Sequence, residues 1–493
     1  MFKRVPLFIL HLFFVIGIIC SGYFSDFSLI LANILLLSGL VLAIGIRQKL
    51  YLSPIHIPIT LFVMSYWISC FYAVDQESAI IEAIRITSIL PLSLLLAMLS
   101  IKEKWNVLQF GPWTSASMTV IGILFNLYRN DRLESTIQYA NSFAIILLIS
   151  ILVSLYHYSS TKSNVSLSLV CINSIGLLLT YSRSVWVIWL LGVVTLIIII
   201  PNLRNLKSIL YIVLSHFFAL VSAIVIQKDI LFFMNRLTSI HSSAPEFQIR
   251  FVYWKDSIGI LSKYWLGGTG GGGWAVLQHQ FQSQQYFVKF IHNHYLQVII
   301  DVGLIGGLMA LLLIGMFYFR SFLSLSNSQE SITDIRALLL FSSVLLVHAA
   351  FDFDLTYPII MAFFICIIFS LNWSIKEIPL TSLYSKCITL FPAVALFCIL
   401  IWIGTGYSER NAGAKLSIEG QFSAAEVRLQ RASEFIPWSS TIYYELAKNQ
   451  VRWGNESKDA EKYNNAKTFL DIALSKTPEQ QTYRRLYEQM NRH

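Results

Sequence analysis

Four arginines and one histidine have the chemistry needed to bind and activate an anionic substrate: Arg132, Arg183, Arg236, Arg250 and His292. A guanidinium binds a phosphate through two parallel hydrogen bonds and stabilises the charge of a leaving pyrophosphate. A histidine titrates near neutral pH and can take a proton from a sugar hydroxyl. These residue types are therefore suited to moving a group from a pyrophosphate to a hydroxyl.

Arg183 is the clearest of these candidates. It stands in LLLTYSRSVWVIW, between two apolar stretches with almost no loop. A guanidinium at such a position is costly and usually marks an ion or substrate path, although an arginine that snorkels to the interface is the alternative. Arg250 precedes Trp254 by four residues, which puts both on one face of a helix. That spacing points Arg250 at the membrane surface, where a solvated or headgroup-binding arginine is the alternative.

His292 stands in HNHYLQ, directly before an apolar stretch. Two histidines two residues apart could bind a metal, but no carboxylate or thiol lies near them in sequence to complete a site. We therefore interpret His292 as a general base.

The elements that carry these residues are predicted to be membrane helices. Hydrophobic residues make up 56% of the 493 positions and charged residues only 13%, which is too apolar for a chain surrounded by water. Apolar stretches long enough to span a bilayer recur about thirteen times, and only a helix satisfies its own backbone there. The predicted fold is an all-α, polytopic membrane bundle with spans near 5–24, 27–46, 57–74, 79–99, 105–128, 139–158, 165–180, 184–200, 208–226, 295–319, 337–355, 357–373 and 387–407.

The positions of lysine and arginine between the spans predict the orientation. Short positively charged connections stay in the cytoplasm, which puts the N-terminus inside and a large loop, 227–294, outside. The net charge of +9 is therefore mainly a topology signal and does not indicate nucleic-acid binding. The sequence MFKR and the following apolar run predict an uncleaved anchor. All six cysteines lie in or near predicted spans, so no disulfide framework is expected.

The external loop contains two predicted features. Pro245 and Glu246 are typical of a helix start, and Phe251, Trp254, Ile258 and Leu261 then recur at helical spacing, which predicts an amphipathic helix near the membrane. The run GGTGGGGW, 267–274, lacks the Lys and Ser or Thr of a phosphate-binding P-loop. It is interpreted as a close-packed turn.

A polar, alanine-rich tail begins after residue 407, which divides the chain into a membrane core, 1–407, and an external helical domain, 408–493. Two segments share the pattern A-x3-L-x2-A-x4-P, beginning at Ala425 and at Ala466. The first resembles a tetratricopeptide repeat, and the second departs from it by an insertion of about seven residues. An alanine-rich tail with chance spacing is the alternative; a repeat domain could bind a protein partner.

Five motifs, in order, resemble the membrane core of the O-antigen ligase and O-antigen polymerase superfamily: DRLESTIQYANSFA, TYSRSVW, QIRFVYWKDSI, WLGGTGGGGW and HNHYLQVIIDVGLIGG. The resemblance as a whole covers roughly 132–358. The resemblance implies a GT-C-like glycosyltransferase of the bacterial inner membrane that takes an undecaprenyl pyrophosphate-linked glycan as donor and inverts the sugar without metal or cofactor. It also implies that Arg132, Arg183 and Arg250 hold the pyrophosphate and that His292 activates the acceptor, with Arg236 and Asn293 as additional ligands.

Within that family the sequence favours a polymerase of a cell-surface polysaccharide, of O-antigen, capsule or teichuronic acid type. An O-antigen or protein O-oligosaccharide ligase is the alternative. Asp352 and Asp354 form a D-x-D that holds a divalent ion in other glycosyltransferases; the alternative is that they pair with arginines or end a helix. A flippase of lipid-linked sugars is the rival from another class, but polar residues gather on one external face, which favours an enzyme.

Overall fold

The computed structural model describes residues 4–228, 230–238, 245–326 and 331–490. The first three residues of the predicted anchor and positions 229 and 239–244 of the external loop lie outside them. In the described part the chain is almost entirely helical, which confirms the all-α class. Two short antiparallel pairs of strands join connections between helices: β1 with β4, and β2 with β3. The strands are β1 Lys49–Leu52, β2 Tyr128–Arg129, β3 Arg132–Leu133 and β4 Lys376–Pro379.

The helices follow the predicted apolar stretches closely. They are α1 Val5–Ile19, α2 Asp26–Arg47, α3 His56–Ser69, α4 Gln76–Thr87, α5 Ile89–Ala97, α6 Ile101–Leu124, α7 Ala140–Thr161, α8 Asn164–Leu179, α9 Arg183–Ile199, α10 Leu206–Gln227, α11 Ile230–Thr238, α12 Pro245–Tyr264, α13 Gly273–Phe281, α14 His294–Leu325, α15 Ile332–Ala349, α16 Pro358–Ser370, α17 Leu383–Ile418, α18 Phe422–Phe435, α19 Ser440–Ser457, α20 Ala460–Lys476 and α21 Gln481–Met490.

Across the described ranges, eight helical segments are long and apolar enough to cross a membrane, with α4 and α5 counted together. Five shorter apolar helices, α1, α3, α8, α9 and α16, occupy the other predicted spans. The total of thirteen spans stays a prediction. Helix α16 is buried along its whole length and packs against α5, α6 and α15, and most of α7 is buried as well. Apolar side chains of α10 and α17 point outward, as expected for helices that contact lipid.

Two predicted spans, 79–99 and 295–319, are not single regular helices. The stretch 79–99 is divided at Ser88 into α4 and α5. Pro91 explains the break, because it has no backbone N–H and its ring clashes with the carbonyl four residues earlier, which belongs to Thr87.

Helix α14 is interrupted at Gly303, where φ is +66° and ψ is −170°. The glycine-rich segment fills the break. The Leu304 amide donates to the Trp265 carbonyl at 2.8 Å, and the Thr269 amide donates to the Ile300 carbonyl at 2.7 Å. The predicted close-packed turn is therefore present, and it binds the backbone of α14 directly.

Helix α12 is present, and its buried face includes a charged residue. Phe251 and Ile258, assigned to its apolar face, are 43% and 63% exposed, whereas Tyr253, Asp256 and Ile260 are buried. The Asp256 carboxylate accepts hydrogen bonds from Tyr286 and Ser283, which allows a charged residue to face inward. Trp254 and Leu261 of the predicted stripe pack against this buried cluster, and contact of the helix with a membrane surface stays a prediction.

The tail continues from the last membrane helix without a break, because α17 passes through the predicted boundary at 407/408 and ends at Ile418. Its end pairs with α18, and α19 pairs with α20, so the tail consists of two helical hairpins and α21. The matching positions of the two repeats are fully buried: Ala425, Leu429, Ala432, Ala466, Leu470 and Ala473. Assignment to the tetratricopeptide class stays a prediction.

Candidate functional site

A cavity of about 750 Å³ opens at the end of the bundle that carries the external loop. Its walls come from β3, α9, α11, α12, α15 and the segment before α14. All five basic residues singled out from the sequence line it: Arg132, Arg183, Arg236, Arg250 and His292. Residues that span 160 positions of the chain thus share one space.

Arg132 is fixed by neighbouring polar groups. Its Nε donates to the Thr180 carbonyl at 2.8 Å, and a terminal nitrogen donates to Asn141 Oδ1 at 2.6 Å. Burial, and then the like charge of Arg236, lower the pKa of the Arg132 guanidinium. A buried cation beside another cation favours the arrival of an anion, so these contacts hold Arg132 ready to bind one.

Arg183 and Arg236 share the carboxylate of Glu246, at the start of α12. Arg183 forms an ion pair with Glu246, and an Arg236 terminal nitrogen lies 3.8 Å from Glu246 Oε1. The pKa of Arg236 is lowered by burial and by the charge of Arg183. The Glu246 side chain is 65% exposed. An exposed carboxylate between two guanidinium groups occupies the kind of position that a phosphate would take.

Arg250 points into the protein, and the interpretation that it faces the membrane surface is wrong. A terminal nitrogen lies 3.3 Å from Asp352 Oδ2, and another donates to the Phe351 carbonyl. Asp352 has no exposed surface. A buried carboxylate stabilises a nearby cation strongly. Asp352 is 102 positions from Arg250 in the sequence, so the spacing of residues within α12 could not predict this pairing.

His292 is paired with the same carboxylate. Its Nδ1 lies 3.2 Å from Asp352 Oδ1, and its ring contacts Phe353 edge to face at 5.1 Å between centroids. In neutral imidazole, a hydrogen on Nδ1 shared with the carboxylate leaves the lone pair on Nε2. The His292 side chain is 19% exposed and lines the cavity, so a base with a fixed orientation lies in the same cavity as the four arginines.

Asp352 is ionised and held by several donors. Tyr139 Oη donates at 3.1 Å and Asn141 Nδ2 at 2.8 Å, in addition to Arg250 and His292. Burial alone would raise its pKa, but the charge of Arg250 and the hydrogen bond from His292 outweigh it. They hold the pKa of Asp352 well below its ordinary value.

The two carboxylates of the D-x-D contact different partners. Asp354 Oδ2 lies 2.5 Å from His348 Nδ1, and Ser142 donates to Asp354 Oδ1 at 2.9 Å. Burial raises the pKa of Asp354 despite the neighbouring His348. In the described part of the chain, no group of three or more His, Cys, Asp or Glu side chains has the arrangement of a metal site. Asp352 pairs with Arg250, as one alternative predicted, whereas Asp354 pairs with a histidine and a serine instead of an arginine.

Asn293 does not belong to the cavity lining. It is the N-cap of α14, and its Oδ1 accepts a hydrogen bond from the Leu296 amide at 3.1 Å. Asparagine is a preferred residue at this position because it satisfies an amide that has no partner inside the helix. Asn293 therefore orients the start of α14, directly after His292.

Four residues of the site were not assigned to it from the sequence. Tyr139 and Asn141 connect Asp352 to Arg132, and Glu246 lies between two arginines. Asp352 was considered as a metal ligand or a partner of arginine, but not as the partner of His292. The signal for the first two was available, since YANS places polar side chains at the start of an otherwise apolar span.

One family model matches part of the chain. Residues 167–311 match the family model described as O-Antigen ligase, and the matched segment includes Arg183, Arg236, Arg250 and His292. No curated protein matches the chain. The family match and the long apolar helices indicate a membrane protein with a function of the O-antigen ligase or polymerase type. Residues 167–311 therefore correspond to an O-antigen ligase domain, and this match supports the predicted assignment to the O-antigen ligase and polymerase family.

Proposed function

We propose that this protein is an inverting membrane glycosyltransferase that polymerises a cell-surface polysaccharide from an undecaprenyl pyrophosphate-linked donor. The observation that carries the proposal is the convergence of four guanidinium groups and a carboxylate-paired histidine on one cavity. Guanidinium groups bind a pyrophosphate and stabilise its charge, and a histidine paired with a carboxylate can take the proton of a hydroxyl group.

The pyrophosphate would bind to Arg132, Arg183 and Arg236. Glu246 now contacts the last two, and its exposure allows it to leave when a more highly charged anion arrives. Guanidinium groups that are already positioned stabilise the charge that develops on the leaving pyrophosphate without reorganising during the reaction. Apolar residues of α9 and α15, Val187 and Val347, border the same cavity and suit the adjoining polyprenyl chain.

His292 would act as the general base. Asp352 fixes the imidazole, whose Nε2 takes the proton of the acceptor hydroxyl. The acceptor oxygen bonds to the anomeric carbon while the bond from that carbon to the pyrophosphate oxygen breaks, which inverts the configuration in one displacement. Arg250 stabilises ionised Asp352, and Asp352 in turn orients the His292 imidazole. Arg250 therefore positions the base and also adds positive charge to the site.

A ligase that transfers the finished glycan to another acceptor uses the same chemistry and is the second candidate. The O-antigen ligase family match favours it, because the matched description names that activity. The two reactions differ in the acceptor: a polymerase extends a lipid-linked glycan, and a ligase joins the glycan to a different molecule.

Reconstitution of the purified protein in nanodiscs with a lipid-linked oligosaccharide would test both. A polymerase yields a ladder of lengths from this substrate alone, whereas a ligase yields product only after an acceptor lipid or protein is added. His292→Ala should abolish either product, and His279→Ala, a histidine of α13 outside the cavity lining, should not. A lipid-linked substrate that crosses a vesicle membrane without glycosidic bond formation would support the flippase and overturn the enzyme.

Arginine charge would replace a metal ion in this scheme. Activity in membranes should therefore persist in excess EDTA, measured by product formation before and after chelation. Loss of activity that magnesium or manganese restores would contradict this expectation and assign a metal-binding role to the D-x-D.

A further inference from the structure

The transfer scheme leaves one group of buried polar residues unused. Asp354 Oδ2 lies 2.5 Å from His348 Nδ1, and neither side chain has exposed surface. The other imidazole nitrogen, Nε2, lies 3.1 Å from Ser184 Oγ. Ser184 lines the cavity and directly follows Arg183. A chain of hydrogen bonds therefore leads from a buried carboxylate to a hydroxyl group in the cavity.

The chain has a defined orientation. Ser142 donates to Asp354 Oδ1, which leaves Oδ2 for His348. The imidazole is thus held with one nitrogen toward Asp354 and the other toward Ser184. A serine hydroxyl has one donor and two acceptor sites, so contact with His348 still leaves Ser184 able to bond a ligand.

We propose that Ser184 is a further catalytic residue, which gives a proton to the leaving pyrophosphate, and that His348 and Asp354 position and replenish that proton. The proposal rests on the proposed function, since it assigns a role within the same transfer. Its location follows from the neighbouring residue: a pyrophosphate held by Arg183 lies beside the Ser184 hydroxyl.

The step balances. The acceptor oxygen bonds to the anomeric carbon, and its proton moves to His292. The bond from that carbon to the pyrophosphate oxygen breaks, and this oxygen takes the Ser184 proton. Ser184 regains a proton from protonated His348, whose charge is balanced by Asp354. The net result is one proton moved from the acceptor side to the leaving-group side, and exchange with water resets both histidines.

The two aspartates of the D-x-D would then support opposite roles. Asp352, with Arg250 beside it, orients the base His292, while Asp354 supports the donor side through His348. Paired titratable groups in different environments commonly divide acid and base roles in this way.

Steady-state kinetics of the full-length protein in nanodiscs, with a lipid-linked oligosaccharide as donor, test the proposal. Ser184→Ala should lower kcat by at least about tenfold and change the donor KM by less than about threefold. Ser184→Thr keeps the hydroxyl and should recover most of the rate. Ser174→Ala, which removes a buried hydroxyl of α8 outside the cavity lining, is the matched control.

A double-mutant cycle separates transfer through Ser184 from a structural role of His348. Asparagine at position 348 keeps a donor for Asp354 but does not reach Ser184. His348→Asn should lower kcat in the wild-type background and have no further effect in the Ser184→Ala background. If it does not fold, the Ser184→Ala and Ser184→Thr pair decides.

The two proposals fail differently. A wild-type protein that forms no glycosidic bond overturns the proposed function. A wild-type protein that transfers glycan while Ser184→Ala keeps its kcat, or while Ser184→Thr is as slow as Ser184→Ala, overturns the role of Ser184 alone.

Discussion

At the scale of single residues, Arg183 depends on the shape of its side chain as well as on its charge. Arg183→Ala should weaken donor binding by about 1–3 kcal/mol, because charge-assisted hydrogen bonds to the pyrophosphate are lost. Arg183→Lys should recover less than half of that loss, since an ammonium lacks the planar fork. Binding of a lipid-linked donor to the purified variants measures both. Arg129→Ala, an exposed arginine paired with Glu134 outside the cavity lining, is the control, and full affinity in Arg183→Lys would contradict the bidentate contact.

Asp352 tests the pairing of base and carboxylate. Asp352→Asn keeps the size but removes the charge that fixes His292 and Arg250, so kcat should fall by about a hundredfold or more. Donor binding should change little, because Arg132 and Arg183 do not contact Asp352 in the described structure. Single-turnover rates with saturating donor measure the effect. A strong loss of donor affinity with an unchanged rate would assign Asp352 to substrate binding instead.

At the scale of elements, the break in α14 depends on the absence of a side chain. A Cβ on Gly303 would lie 2.1 Å from the Leu266 carbonyl oxygen, and the positive φ adds strain. Gly303→Ala should therefore lower the unfolding temperature in detergent, at a cost of about 1–3 kcal/mol or more. Gly315→Ala in the same helix meets nothing within 4 Å and should be neutral or slightly stabilising. Equal melting temperatures for the two variants would contradict the backbone contact.

The elements were largely predictable from the sequence, and their contacts were not. Apolar length alone located the membrane helices, because a span must satisfy its backbone internally. The pairing of His292 with Asp352 crosses 60 positions, and no local pattern encodes it. The arginines were identified because a charge at a helix end in a membrane is costly, whereas Glu246 resembled an ordinary helix start. The sequence thus identified the cations of the site but not the carboxylates that orient them.

At the scale of the whole molecule, the tail is attached to the core by buried polar contacts. Glu77, at the start of α4, binds Arg410 at 2.9 Å, the Ser439 hydroxyl at 2.7 Å and the Thr441 amide at 3.2 Å. Gln280 of the external loop also reaches Glu479 of α20–α21 at 2.5 Å. The sequence predicted a separate helical domain, and these contacts join that domain to the start of α4 and to α13 of the external loop. A partner that binds the tail would thus act on a domain that contacts α4 and α13.

The substitution Glu77→Gln tests this attachment, because its effect on the free energy of unfolding should differ in sign between the full-length protein and a truncated core. In the full-length protein Glu77→Gln should be destabilising by about 3 kcal/mol, because it leaves Arg410 largely buried without its counterion. A chain that ends after Tyr407 lacks Arg410, Ser439 and Thr441, so the Glu77 carboxylate has none of these partners. There the same substitution should be neutral or stabilising, since a neutral amide costs less to leave unpaired. Unfolding temperatures of the four proteins in one detergent measure the cycle. A truncated core as stable as the full chain, with Glu77→Gln silent in both, would show that the tail is an independent domain.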